Sequence, residues 1–128
     1  DVDGIPTVRV PWPGGGSIQV GSSRLKLALD AVLSPAALVA ALRFRPHLIH
    51  AYLHEGALIG STIGALLRRP VVFDFQGSLT GEMLDHRFIS EHSPWLRPLR
   101  RLERWIDHQP DAILASSVHA VHLLTEKF

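Results

Sequence analysis

The sequence predicts an α/β fold with a parallel sheet, and three observations lead to this prediction. Three short apolar segments have the composition of buried strands: HLIHAYL (47–53), VVFDFQ (71–76) and DAILASS (111–117). Longer segments with helical periodicity alternate with them. Each connection is long enough for a crossover helix, and strands joined in this way are parallel and right-handed. The three strands are therefore expected to be neighbours in one parallel sheet, with helices on both faces.

The crossover segments predict three helices between the strands. One covers EGALIGSTIGALLRR (55–69), whose two final arginines suit a helix C-terminus and which Pro70 stops. A second covers 78–90. A third covers 93–109, with Ser93 as cap and Pro94 in the first turn. Its apolar stripe comprises Leu96, Leu99, Leu102, Trp105 and Ile106.

The remaining elements lie towards the two ends of the chain. TVRVP (7–11) reads as a short early strand. Residues 23–33 and 35–44 are expected to form two helices or one kinked helix, with Ser34 as the cap before Pro35. After the third strand, Ser117 is expected to cap a further helix.

Composition excludes several classes of protein. The 128 residues are 46% hydrophobic and 20% charged, which is typical of one globular domain. A net charge of +1 gives no reason to expect a nucleic-acid partner. The chain has no Cys, which excludes disulfides and thiolate zinc sites and fits a reducing cytoplasm. No apolar run approaches the ~20 residues of a membrane span, and no signal peptide is visible. We therefore expect a cytoplasmic protein.

Polar residues follow all three strands. In open parallel sheets, ligands bind outside the carboxyl ends of the strands, which lie at one edge. The polar residues at these ends are His54 and Glu55 after the first strand, Asp74, Gln76, Gly77, Ser78 and Thr80 at the second, and Ser116 and Ser117 at the third. The sequence therefore predicts a ligand site at this edge.

Each of these residues also has a purely structural interpretation. His50 lies inside a strand and is better explained as a hydrogen-bonded core histidine. Glu55 can stabilise a helix N-terminus, and Asp74 can accept hydrogen bonds from a loop. A turn alone would be enough to explain Gly77. His50 and His54 lie four residues apart, roughly 13 Å along a strand, so they cannot share a metal ion there.

An arginine cluster in the segment 93–109 has two interpretations. Its members are Arg97, Arg100, Arg101 and Arg104, with Trp95 and Trp105 nearby. A solvated polar face opposite an apolar stripe explains it best. Peripheral contact with an anionic membrane surface, at the inner membrane face, is the alternative.

The segment from 46 to about 124 resembles the N-terminal domain of family 4 (group 1) glycosyltransferases, which are retaining enzymes with the GT-B fold. The resemblance rests on RPHLIHAYLHEGALIG, LLRRPVVFDFQGS and LERWIDHQPDAILASS in this order and spacing. It implies an incomplete, Rossmann-like N-terminal domain over 1–128. The family's first strand and glycine-rich loop would precede Asp1. Its C-terminal donor-binding domain would follow Phe128, so the chain should be inactive alone.

The resemblance also implies roles for individual residues. His50 matches the first histidine of the family's first motif, and Tyr52 replaces the second. Gln76 stands where many members have the histidine that faces the donor sugar, and Gly77 matches the glycine after it. An amide can hydrogen-bond a sugar hydroxyl but cannot exchange a proton near neutral pH.

The expected site therefore has two groups of residues. The catalytic candidates are Gln76 and Glu82, and the substrate-binding candidates are His54, Glu55, Asp74, Gly77, Ser78 and Thr80. The substrates would be a nucleotide-sugar donor and an acceptor hydroxyl, with no cofactor and no metal.

Two further hypotheses remain open from the residues. One is a Rossmann-like or receiver-like binding module with Asp74 as its acidic strand end. The other is a hydrolase that uses His54 and Glu55 as an acid–base pair.

Overall fold

The computed structural model describes residues 4, 6–10 and 24–127, which fall into two compact units. The first unit is Asp1–Arg45 and the second is Pro46–Phe128. All three strands and the predicted ligand site belong to the second unit.

The first unit contains helix α1 (Arg24–Phe44), which runs through Pro35 as one continuous element. Ser34 does not cap a second helix, because its hydroxyl donates to the carbonyl of Asp30 one turn earlier. Serines inside helices commonly make this bond. The strand predicted over 7–11 is wrong for its described residues, since 6–10 form no regular element. The alternation of Val8 and Val10 is too little to make a strand by itself, because a strand also depends on pairing with other strands.

The second unit is an alternation of strands and helices around a three-stranded parallel sheet. Its elements in chain order are β1 (Ile49–Tyr52), α2 (Leu53–Leu67), β2 (Val71–Phe75), α3 (Leu79–Asp85), α4 (Leu96–Asp107), β3 (Ala112–Ala115) and α5 (Val118–Lys127). The strand order is β1-β2-β3, with Ala51 opposite Phe73 and Phe73 opposite Ile113. The predicted Rossmann-like α/β sheet of adjacent parallel strands is confirmed.

One face of this sheet carries the core of the unit. Phe73 and Phe75 are buried there and pack with Ala57 of α2, Ile106 of α4 and Ala120 of α5. Burial of each of the two Phe side chains stabilises the unit by roughly 1.5–3 kcal/mol. The three helices that contribute to this core therefore lie on the same side of the sheet.

The opposite face exposes residues that the sequence suggested would be buried. His50 is exposed, and Tyr52 and Leu114 are 58% and 55% exposed. The interpretation of His50 as a core histidine is therefore wrong. The apolar composition of these strands does not reveal this, because whether a face is covered depends on distant segments.

Several helix ends differ from the prediction. Helix α3 ends at Asp85 instead of residue 90, and Arg87 beyond it has a positive φ of 55°. Helix α4 begins at Leu96, because a turn precedes it in which Ser93 Oγ accepts from the Trp95 amide. Ser117 caps α5 as predicted, since its hydroxyl accepts from the Ala120 amide.

The buried side of α4 is also shifted from the predicted stripe. Leu96 and Ile106 are buried, but Leu102 and Trp105 are 43% and 51% exposed. Two acidic residues, Glu103 and Asp107, take the remaining buried positions. In the described part of the chain, β1 pairs with β2 alone and is therefore an edge strand.

Candidate functional site

The carboxyl ends of the three strands meet at one edge of the sheet, as parallel pairing requires. Tyr52 lies opposite Asp74, and Asp74 lies opposite Leu114. The residues that follow these strands are therefore neighbours. They divide into an exposed group on the open face and a buried group beneath the covered face.

The exposed group is formed by Asp74, Gln76 and His50. Nε2 of Gln76 donates a hydrogen bond of 2.5 Å to Oδ1 of Asp74. Oδ2 of the same carboxylate lies 3.6 Å from Nε2 of His50. An ionised carboxylate only accepts hydrogen bonds, so the amide nitrogen of Gln76 must face Asp74. The amide oxygen is then directed elsewhere and can accept a hydrogen bond from a ligand.

Gly77 follows this group and borders open space. Apart from Gly77 itself and its two chain neighbours, no heavy atom of the described residues lies within 4 Å of a Cβ added to Gly77. Its φ is not in the left-handed region, so the turn itself does not require glycine. Of the two interpretations of Gly77, access for another molecule therefore agrees better with the geometry than turn formation.

Ser78 and Glu82 belong to the start of α3. The hydroxyl of Ser78 accepts from the Gly81 amide at 3.1 Å and thereby caps the helix. Glu82 lies in the first turn and is exposed. Its position favours the helix N-terminus electrostatically and leaves the carboxylate accessible.

His54 lies inside the protein and not at the exposed edge. Leu53, with a positive φ of 62°, turns the chain from β1 directly into α2. The His54 ring then lies 5.2 Å and 5.6 Å, between centroids, from Phe73 and Phe75, in edge-to-face arrangements. Glu55, the next residue, is half-buried in the first turn of α2.

The imidazole of His54 meets two acidic side chains that sequence reasoning missed. Its Nε2 lies 3.1 Å from Oδ1 of Asp107 and 3.9 Å from Oε1 of Glu103. His54, Glu103 and Asp107 are 4%, 3% and 5% exposed. The helical spacing of these acidic residues could have revealed them. Glu103 and Asp107 lie four residues apart and so share a helix face, which also carries Leu96 and Ile106.

Thr80 belongs to this buried cluster and not to the exposed group. It is 2% exposed, and its hydroxyl donates to Oε2 of Glu103, as does its backbone amide at 3.3 Å. A cavity of about 500 Å³ borders the cluster and is lined by residues that include Thr80, Arg100, Glu103, Arg104, Asp107 and Leu123.

Comparison with known proteins decides the family. The model of the glycosyl transferase 4-like domain matches residues 1–128, which is the whole chain. The chain belongs to the glycosyl transferase 4-like domain family. No curated protein and no solved structure matches it significantly.

Family membership confirms the resemblance seen in the sequence and makes the chain a glycosyltransferase-like domain. The motif positions of this family are distributed unequally between the two groups. His50 and Gln76, which the sequence resemblance aligns with motif histidines, both contact Asp74 in the exposed group. His54, Thr80 and their acidic partners form the buried group. The roles predicted for these residues in substrate binding and catalysis remain predictions.

Proposed function

We propose that the chain is part of a retaining glycosyltransferase that moves a sugar from a nucleotide-sugar donor to an acceptor hydroxyl. This chain would line the acceptor side of the cleft, and a donor-binding domain in cis would complete the site. One observation carries this proposal: Gln76, Asp74 and His50 form an exposed group at the carboxyl ends of parallel strands, where open sheets bind ligands.

Gln76 would bind a sugar hydroxyl through its amide oxygen. Asp74 holds the amide nitrogen, so the amide oxygen is already oriented when the sugar binds. Such preorganisation lowers the entropic cost of binding. Because an amide does not exchange a proton near neutral pH, Gln76 would position the sugar and stabilise charge, and it would not act as an acid or base.

Gly77 and Glu82 would complete the substrate-facing surface. The open space at Gly77 would let a sugar approach the backbone closely. The exposed Glu82 carboxylate would accept a hydrogen bond from the acceptor hydroxyl. The charge that develops on the leaving nucleotide would be met by fixed hydrogen-bond donors, with no metal ion in donor departure.

We also propose peripheral contact with an anionic membrane surface through the outer face of α4. Arg97, Arg100, Arg101 and Arg104 are all exposed along this helix. Trp95 and Trp105 are 68% and 51% exposed beside them. Arginines attract anionic lipid and tryptophan rings favour the membrane interface, so the composition of this face fits such a contact. Among residues 4, 6–10 and 24–127, no helix is long and apolar enough to cross a membrane.

The two other hypotheses are less well supported. Asp74 already contacts Gln76 and His50, whereas a receiver-like module would require it to accept a phosphoryl group. A hydrolase would need His54 to reach its substrate, but its side chain is only 5% exposed. A mass increase on Asp74 after incubation with a phosphoryl donor would favour the first of these over the transferase.

The proposal is tested by incubating the full-length protein with a panel of nucleotide sugars and an extract of candidate acceptors. We expect nucleotide release that depends on the acceptor and on one donor sugar, with retention of anomeric configuration in the product. Release without transfer, or an inverted product, would contradict the proposed reaction.

A further inference from the structure

The buried cluster of His54, Glu103 and Asp107 combines three side chains that ligate metal ions. One ligand atom from each lies within 4.8 Å of the other two. His54 comes from the first turn of α2, and the two carboxylates come from successive turns of α4. All three residues are at least nine-tenths buried.

The hydrogen bonding of the cluster is incomplete where the imidazole of His54 meets the carboxylate of Asp107. Oδ1 of Asp107 lies 3.1 Å from Nε2 of His54, but off the direction that a hydrogen bond requires. Neither atom has a hydrogen-bond partner among the described residues. Buried polar atoms without partners are rare and costly, so something else is expected to satisfy them.

The charge of the cluster points to a cation. Two carboxylates are buried beside one imidazole, and both kinds of group are ligands of divalent cations. A divalent cation bound by two carboxylates and a neutral imidazole leaves no net charge at this place.

The distances also suit a metal ion. A tetrahedral ion with bonds of about 2.1 Å places its ligand atoms about 3.4 Å apart. The observed separations from Nε2 of His54, 3.1 Å to Asp107 and 3.9 Å to Glu103, lie on either side of this value. All three separations are within 4.8 Å, so side-chain rotations could bring the three atoms to equal distances from one centre.

Neighbouring residues hold the ligands in place. The hydroxyl and amide of Thr80 bind Oε2 of Glu103, which leaves Oε1 directed towards His54. The rings of Phe73 and Phe75 pack against the imidazole. Orientation of metal ligands by such partners is a general feature of metal sites. The adjoining cavity, which Glu103 and Asp107 line, offers a path for an ion and room for a water ligand.

We infer that His54, Glu103 and Asp107 bind one divalent transition-metal ion that joins α2 to α4. One imidazole with two carboxylates suits Zn²⁺ or Mn²⁺. The site lies beneath the covered face of the sheet, whereas Gln76 and Asp74 belong to its exposed end. The ion is therefore structural, goes beyond the proposed transfer reaction and does not conflict with metal-free donor departure.

The test uses the purified full-length protein, stripped of metal with a chelator and titrated with Zn²⁺ and separately with Mn²⁺. Calorimetry should give about one ion per chain for at least one of the two metals. The melting temperature should rise with that ion and fall when chelator is added. Binding of Co²⁺ should produce a visible absorption band, which reports nitrogen and oxygen ligation directly on the unmodified protein.

Variants locate the site. Glu103→Gln and Asp107→Asn should abolish the shift in melting temperature caused by the metal. Glu91→Gln and Asp85→Asn, which change exposed acidic residues of the same unit, should leave it unchanged. Thr80→Val should weaken affinity about 10- to 100-fold, because it removes the hydroxyl that orients Glu103.

Two outcomes would overturn the inference. One is unmodified protein that binds neither Zn²⁺, Mn²⁺ nor Co²⁺ and melts identically with and without chelator, which would leave the cluster as a buried contact between a histidine and two carboxylates. The other is metal binding that persists in both Glu103→Gln and Asp107→Asn. If these variants fail to fold, the measurements on the unmodified protein still decide, and the transfer assay is independent of all of them.

Discussion

The side-chain amide of Gln76 donates to the carboxylate of Asp74, two residues earlier in the chain, at 2.5 Å. This bond orients a residue that the sequence resemblance aligns with a histidine of the family's motif. It also explains how an acidic residue comes to lie at the end of an apolar strand. Asp74 is half-buried at the open face, where one carboxylate oxygen accepts from Gln76 and the other contacts His50.

Replacing Gln76 tests whether its amide contacts the substrate. Gln76→Ala should lower kcat/KM for sugar transfer by about 5- to 150-fold, the equivalent of one hydrogen bond worth roughly 1–3 kcal/mol. Asp74→Asn should have a smaller effect, because it weakens the orientation of the amide without removing it. Transfer rates are measured for each variant together with a melting curve.

Gln109→Ala is the matched control for Gln76→Ala. Gln109 is also exposed and hydrogen-bonded, to the carbonyl of Trp105, but it precedes β3 at the opposite edge of the sheet. The Gln109→Ala variant should transfer sugar at the same rate as the unmodified protein. Equal activity in the Gln76 and Gln109 variants would place the substrate elsewhere.

Gly77 and Gly64 should respond in opposite ways to added side chains. Gly77→Val should cut transfer and leave the melting temperature unchanged, since its side chain would enter open space. Gly64→Ala should destabilise the fold by about 1–3 kcal/mol, because the new methyl group would overlap Val71 and lie 2.8 Å from the carbonyl oxygen of Arg69. Urea unfolding and transfer assays separate the two effects. Loss of stability in Gly77→Val would mean that Gly77 serves the turn.

Thr80 should contribute to stability through Glu103. In buffer with chelator, Thr80→Val should lower the free energy of unfolding by about 1–3 kcal/mol, since it removes a hydrogen bond from a buried carboxylate. Thr62→Val removes a similar bond, to the carbonyl of Leu58, at an exposed position. It should change stability by less than about 0.5 kcal/mol. Similar losses of unfolding free energy in both variants would show that the Thr80–Glu103 bond stabilises the fold no more than an exposed hydrogen bond does.

The outer face of α4 should bind anionic vesicles. The double variant Arg97→Glu with Arg101→Glu should weaken binding to vesicles that contain phosphatidylglycerol by at least about tenfold, at roughly 1 kcal/mol for each arginine. A second double variant, Arg43→Glu with Arg45→Glu, makes the same change in net charge at exposed positions of the other unit. Co-sedimentation that is equally reduced in both would indicate an effect of net charge alone.

In the second unit, the sequence was sufficient for the element types and the topology of the sheet. Strand composition, helical periodicity and connection length predict β1, β2 and β3 as parallel neighbours, and the structure agrees. Ser117 as a cap also follows from local chemistry. These features depend on residues near one another in the chain, so a sequence pattern carries them directly. The match to the family model likewise depends on the order of residues along the chain.

Only the tertiary structure decided which polar residues are exposed and which are buried. His50 is exposed and contacts Asp74, whereas His54, four residues later, is buried against Glu103 and Asp107. The left-handed turn at Leu53 and the packing of α4 against α2 produce this difference. Both depend on contacts between segments that are distant in the chain. A pattern of residues predicts which positions share a face of a strand or helix, but the covering of that face is determined by the packed fold.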